Sequence, residues 1–97
     1  MAESDYQANV IKTIYQLIPG CVIMKNDAQY RQGFPDITIY YRSRYAILEF
    51  KVDGDADYQP NQEDYLRIFG KYTFAKRIDP ENEEDVLNGL CQFFGIQ

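Results

Sequence analysis

Residues 37–52 read Ile37-Thr38-Ile39-Tyr40-Tyr41-Arg42-Ser43-Arg44-Tyr45-Ala46-Ile47-Leu48-Glu49-Phe50-Lys51-Val52. Two β-branched and aromatic runs, 37–41 and 45–52, flank a short polar break, the pattern of two strands joined in a hairpin whose turn lies near Ser43. Side chains alternate along a strand, so Ala46, Leu48, Phe50 and Val52 project to one face while Ile47, Glu49 and Lys51 project to the other. A glutamate and a lysine side by side in so apolar a strand are costly to bury without partners, which favours a site at a sheet edge or cleft over a plain core strand. Asp36 opens the first of the two strands. In an antiparallel hairpin the start of one strand lies beside the end of the next, so Asp36 and Glu49 can converge on one point.

Working outward, Ser4-Asp5-Tyr6-Gln7 reads as a capping box, and Val10, Ile11, Ile14, Leu17 and Ile18 follow at helical spacing until Pro19-Gly20 stops the run. A first helix over 5–18 is predicted. Cys21 to Met24 then reads as a strand, with a polar loop from Asn26 to Gly33. Beyond the hairpin, Asp53 to Asp57 is an acidic loop without the glycine and final glutamate of a calcium loop. Pro60 precedes a second helix that carries Tyr65, Leu66 and Phe69 and ends near Gly70. Tyr72 to Ile78 reads as a fourth strand. Asp79-Pro80 reads as an N-cap with proline in the first helical position, ahead of a last helix with Val86, Leu87, Leu90, Cys91, Phe93 and Phe94 on its apolar face. The order αβββαβα predicts an α/β domain spanning 1–97, with a mixed four-stranded sheet, flanking helices and a C-terminal helix.

Composition narrows the chemistry. A 97-residue chain with 45% hydrophobic residues, nine Tyr and six Phe has the material for one core. Histidine is absent, which removes Ser-His-Asp and Cys-His catalysis and most zinc sites. Cys21 and Cys91 sit in apolar runs without metal-ligand spacing, as buried thiols of a reduced protein do. The start, MAESDYQ, has no basic n-region and no apolar run reaches membrane-spanning length, so a cytoplasmic protein is expected. The net charge of −5 argues against a nucleic-acid partner at first sight, but Arg31, Arg42, Arg44 and Lys51 cluster in sequence around the hairpin.

Two converging carboxylates suit Mg²⁺ or Mn²⁺, ions that prefer oxygen ligands and retain several waters. A lysine beside such an ion can orient or deprotonate an attacking water and steady charge developing on a phosphate. Metal-assisted phosphodiester hydrolysis is the reaction these groups fit. The alternative for Glu49 and Lys51 is a solvated cross-strand ion pair of little energetic worth.

Pro35-Asp36, a gap, then Glu49-Phe50-Lys51 resembles the PD-(D/E)XK nuclease motif, in which the restriction-endonuclease-like core also runs αβββαβ. The wider pattern, with Glu3 and Gln7 at the first helix, Gln32-Gly33-Phe34-Pro35-Asp36 and Gln59-Pro60-Asn61-Gln62, resembles the stand-alone VRR-NUC-type nucleases common in bacteriophages. The resemblance covers nearly the whole chain. It implies that Asp36, Glu49 and the carbonyl of Phe50 hold the metal, that Lys51 acts on the water, that Glu3 completes the metal shell, and that Gln62 joins the catalytic group. It also implies a homodimer acting on branched DNA, as Holliday junction resolvases do, in the cytoplasm of a bacterial host.

Several residues have plainer readings. Glu3 can serve the helix dipole, Gln7 can close the capping box, and Gln62 can be a first-turn polar residue. Lys25, Arg31, Arg42 and Arg44 are candidate phosphate contacts, though surface cations are ordinary. Strand propensity explains Tyr40-Tyr41 better than base stacking does. The rival functions are a nickase, a flap or single-strand nuclease, and a nucleic-acid-binding module that keeps the nuclease fold without turnover.

Overall fold

The computed structural model describes residues 2–53 and 57–96, so the middle of the acidic loop after the hairpin lies outside it. The elements are α1 (Glu3–Leu17), β1 (Val22–Lys25), β2 (Ile37–Tyr41), β3 (Arg44–Phe50), α2 (Gln62–Phe69), β4 (Phe74–Ile78) and α3 (Glu83–Phe94). The sheet has the order β1-β2-β3-β4. Its first two pairings are antiparallel and the last, β3 with β4, is parallel, which makes it the mixed sheet expected from the sequence. A parallel pair cannot be joined by a tight turn, and α2 forms the crossover.

The alternation of β3 is realised as read. Ala46, Leu48 and Phe50 join Ile37, Ile39 and Ile78 on one face, where they pack with Tyr6, Val10 and Ile14 of α1 and Val86, Leu87, Leu90 and Phe94 of α3. The opposite face carries Ile47, Glu49 and Thr38, and α2 contacts β3 and β4. Helices therefore cover both faces, and β3, which lies inside the sheet, is buried from Ala46 to Phe50. None of the described helices is long and apolar enough to cross a membrane.

Several element boundaries depart from the sequence reading, each for a local reason. Helix α1 starts at Glu3 with Ala2 as N-cap and no side-chain cap, so the Ser4–Gln7 capping box does not form and Glu3 lies inside the first turn. The Ala2 carbonyl opens the helix by accepting the Asp5 and Tyr6 N–H groups at 3.1 Å each, and Tyr6 is buried at 4% exposure in edge-to-face contact with Phe50. Strand β1 is displaced by one residue, since Cys21 is taken into the core and Lys25 pairs with Ile37. Strand β4 begins at Phe74, because Tyr72 and Thr73 still belong to the turns closing α2, their N–H groups bonded to the Phe69 carbonyl. Asp79 caps a turn instead of α3. Its carboxylate accepts the N–H groups of Glu81 and Asn82, while the Asn82 side chain accepts the Asp79 N–H, and the helix begins after Asn82 with Pro80 outside it.

Leu90, fully buried between α3 and the sheet, tests this packing. Leu90→Ala is expected to lower stability by about 2–5 kcal/mol in a urea titration. A loss well under about 1 kcal/mol would mean that α3 is not part of the core.

Candidate active site

Extending the β2–β3 register beyond Ile37↔Leu48 sets Asp36 opposite Glu49 and Pro35 opposite Phe50. Proline has no N–H, so the ladder stops there, and the two groups of Phe50 that face β2 need other partners. The Phe50 N–H finds the Asp36 carboxylate at 2.8 Å. Its carbonyl, turned to the same side, receives no ladder bond from Pro35. Asp36 in turn donates its own N–H to Glu49 Oε1 at 3.2 Å. The proline thus ends the strand pairing at the point where two carboxylates and one carbonyl come together.

Glu49 is 2% exposed, although it bears an ionisable group. Gln62, the first residue of α2, donates its amide N–H to Glu49 Oε2, and the Gln62 carbonyl oxygen accepts the Gln59 N–H at 2.7 Å. Lys51 Nζ lies 3.9 Å from the same Glu49 oxygen, with the Lys51 side chain also largely buried. The pair is therefore buried, and the solvated ion pair considered above is not what the structure contains. Burial pushes the Glu49 carboxyl up to about 8, the adjacent negative charge of Asp36 and a hydrogen bond with it add to the shift, and the Lys51 ammonium only partly offsets them.

The shift is a fit test for a cation. The half-buried Asp36 and the buried Glu49 carboxyl groups meet beside Lys51, whose single positive charge only partly offsets them. The oxygen donors available, from Asp36, Glu49 and the Phe50 carbonyl, are hard ligands of the kind Mg²⁺ and Mn²⁺ take. These residues fit such an ion. Glu3 is not gathered with them: among the described residues no three Asp, Glu or Cys side chains converge closely enough to hold a metal. It sits exposed in the first turn of α1, at the positive end of that helix.

The candidate phosphate contacts fall into two groups. Lys25, at the end of β1, pairs with Ile37 and so lies at the Asp36 end of the sheet, and Arg31, in the following loop, donates to the Tyr65 hydroxyl of α2 at 3.3 Å. Arg42 and Arg44 lie at the opposite end. Arg44 is roughly 17 Å along β3 from Glu49 at about 3.3 Å per residue. It donates to the Phe93 carbonyl with its guanidinium over the Phe93 ring, while Arg42 lies over Tyr41.

Other residues that build the site were not singled out from sequence. The Asn26 amide bonds the Pro35 carbonyl at 2.9 Å and Thr38 Oγ1 at 3.1 Å, and the Asn26 N–H takes the Asp36 carbonyl at 2.8 Å. Arg77 is the β4 register partner of Glu49, bonded to the Asp53 carbonyl at 2.9 Å and stacked over Tyr58. Only strand register could reveal either. Gly33 carried a clearer signal, since it lies in the motif. Its φ of +80° is a conformation that side chains resist, and an added Cβ would lie 2.2 Å from the Pro60 carbonyl oxygen. The loop before Asp36 and the loop before Gln62 touch there, and Phe34 against Tyr65 and Phe69 holds them together.

The fold has known counterparts. A solved structure titled "VRR_NUC domain protein" superposes with a TM-score of 0.72 at 17% identity, over 99% of this chain and 90% of that one. A second, "VRR_NUC domain", gives 0.68 at 19% identity, over 95% and 96%. The chain has the fold of a VRR_NUC domain, in the αβββαβα order read from the sequence. No family model matches the sequence, and no curated protein matches it.

Two outcomes are expected from this geometry. Gly33→Ala should cost roughly 1–3 kcal/mol in urea unfolding, from backbone strain and the clash with Pro60, and unchanged stability would mean that the two loops separate freely. In metal-free buffer, the raised Glu49 carboxyl binds a proton in the folded state that the unfolded chain releases near its ordinary 4.5. Its contribution to stability is therefore complete below about 4.5 and is lost as pH climbs through about 8. The melting temperature should fall over that window, and Glu49→Gln should flatten the fall; an equally steep profile in the variant would assign the loss to other groups.

Proposed function

We propose that this protein is a metal-dependent endonuclease that hydrolyses DNA phosphodiester bonds. The observation carrying this reading is the convergence of Asp36, Glu49 and Lys51 at one buried strand end, with the Phe50 carbonyl beside them. The VRR_NUC fold of its structural neighbours supports the same class of chemistry.

Asp36, Glu49 and the Phe50 carbonyl would hold Mg²⁺ or Mn²⁺. Bound there, the ion supplies Lewis-acid polarisation of the phosphate and a lowered pKa for a water. The protein's own contribution is placement. Gln62 holds Glu49 by one oxygen, and the Gln59 N–H holds Gln62, so the carboxyl is set before any substrate arrives. Asp36 is fixed through its Oδ2 to the Phe50 N–H and through its carbonyl to Asn26. Lys51, whose ammonium lies 3.9 Å from Glu49 Oε2, would orient an attacking water and neutralise charge on a phosphate oxygen.

Lys25 and Arg31 stand at the same end of the sheet and serve as contacts for the flanking phosphates. Arg42 and Arg44, at the far end, suit a more distant stretch of backbone, as a substrate with more than one helical arm would offer. Branched DNA is therefore the preferred substrate, cut by a homodimer whose two sites address two strands in the cytoplasm of the host cell. The second reading, a nuclease of flaps or single strands, is favoured by one feature, the exposed Tyr30 beside the site.

The test is cleavage of labelled four-way junction, flap, linear duplex and single-strand DNA with Mg²⁺, with Mn²⁺ and with EDTA. Metal-dependent cutting that falls by about a hundredfold or more in Lys51→Ala and in Asp36→Ala is expected. Cleavage that persists in both variants would remove this site from the reaction, and no cleavage of any substrate by the folded, metal-supplied protein would leave a binding module.

A further inference from the structure

Beside the candidate active site, the loop between β1 and β2 encloses an open cavity of about 490 Å³ lined by Asn26, Asp27, Tyr30, Arg31 and Phe34. We propose that this cavity is a subsite for one unstacked nucleobase of the DNA strand being cut, next to the phosphate that Asp36 and Glu49 would receive. The inference rests on the nuclease reading and narrows its substrate to DNA with an unpaired nucleotide at the cleavage position.

Size is the first argument. The cavity exceeds the roughly 300 Å³ at which sites for small organic groups begin. Its chemistry is the second. Tyr30 is 86% exposed, so its ring is not used by the core, and Phe34 supplies a second aromatic wall that is itself fixed against Tyr65 and Phe69. Aromatic side chains at a site of this kind stack on bases. On the rim, the Asn26 amide and one Asp27 oxygen are already committed. The Asn26 amide is engaged by Pro35 and Thr38, and Asp27 Oδ1 accepts the Gln29 N–H at 2.8 Å. Few groups remain to read a base by its hydrogen-bonding edge, so recognition is of the flat face and tolerant of sequence. Arg31 uses one of its five N–H donors on Tyr65, and the others are available for the phosphate attached to the stacked base.

Position is the third argument. Asn26 bonds the Asp36 carbonyl, and Pro35 is bonded to Asn26, so the cavity wall and the candidate metal-binding carboxylate form one rigid piece. A base in a duplex would have to leave its stack to enter, whereas a base at a flap, bulge or branch point is already free of its partner.

The experiment measures binding in EDTA, where no cutting can occur, to a fully paired duplex and to a branched duplex carrying 2-aminopurine either unpaired at the branch or paired in an arm. Wild-type protein should bind the branched DNA more tightly than the paired duplex and quench only the unpaired 2-aminopurine. Tyr30→Ala should lose the quenching and weaken branched DNA by roughly tenfold while leaving paired duplex unchanged, and Tyr30→Phe should keep both properties. Equal effects of Tyr30→Ala on the two DNAs, no effect on either, or absence of quenching at saturating wild-type protein would overturn the subsite. Selective binding through Tyr30 without any metal-dependent cleavage would overturn the nuclease reading and leave the subsite standing; cleavage without Tyr30-dependent selectivity would do the reverse.

Discussion

The structure around Glu49 is organised by the burial of one carboxyl group. A carboxylate taken out of water without compensation costs several kcal/mol, and the protein meets this by protonation and by contacts from three sides. The residue just before β2 provides the Asp36 N–H, α2 provides the Gln62 amide, and the residue just after β3 provides the Lys51 ammonium. The crossover between β3 and β4 therefore does two jobs, joining parallel strands and bringing the first residue of α2 onto Glu49. Removing any of these contacts leaves a buried acid with fewer partners, so the site and the fold are not separable energetically.

Charge explains why the site invites a cation. Asp36 and Glu49 face each other, the Lys51 ammonium only partly offsets their charge, and the chain as a whole carries −5. Without an ion, Glu49 holds a proton up to about pH 8. On the proposed nuclease reading, a divalent ion would displace that proton and supply the positive charge that an acidic protein otherwise lacks for a phosphodiester substrate.

Two stretches far apart in sequence, 32–36 and 59–62, form one structural unit. Gly33 allows the contact because it has no Cβ to strike Pro60, the positive φ of Asn61 turns the chain into α2, and the Phe34, Tyr65 and Phe69 rings pack the joint. The same loop carries Tyr30 and Arg31 on its outer side.

Much of this was legible in the sequence, and the physical reason is locality. The alternation in 45–52, the helical spacing of Val10 and Ile14, and the β-branched run after Asp36 are set within a few residues, so they fixed the element order and the face on which Glu49 and Lys51 lie. The pairing of Asp36 with Glu49 was also readable, because a short hairpin dictates its own register. What the sequence could not supply depends on parts that meet only after folding. Sequence left Glu49 open between a sheet edge and a cleft, and it lies buried within the sheet because β4 pairs with β3 after the crossover through α2. The Ser4 capping box and the Asp79 cap fit local rules, yet the helix opens on the Ala2 carbonyl and a turn closed by Asn82 displaces the second cap. Arg42 and Arg44 adjoin the motif in sequence and stand at the far end of the sheet, because a strand carries its two ends apart as surely as a hairpin brings its partners together.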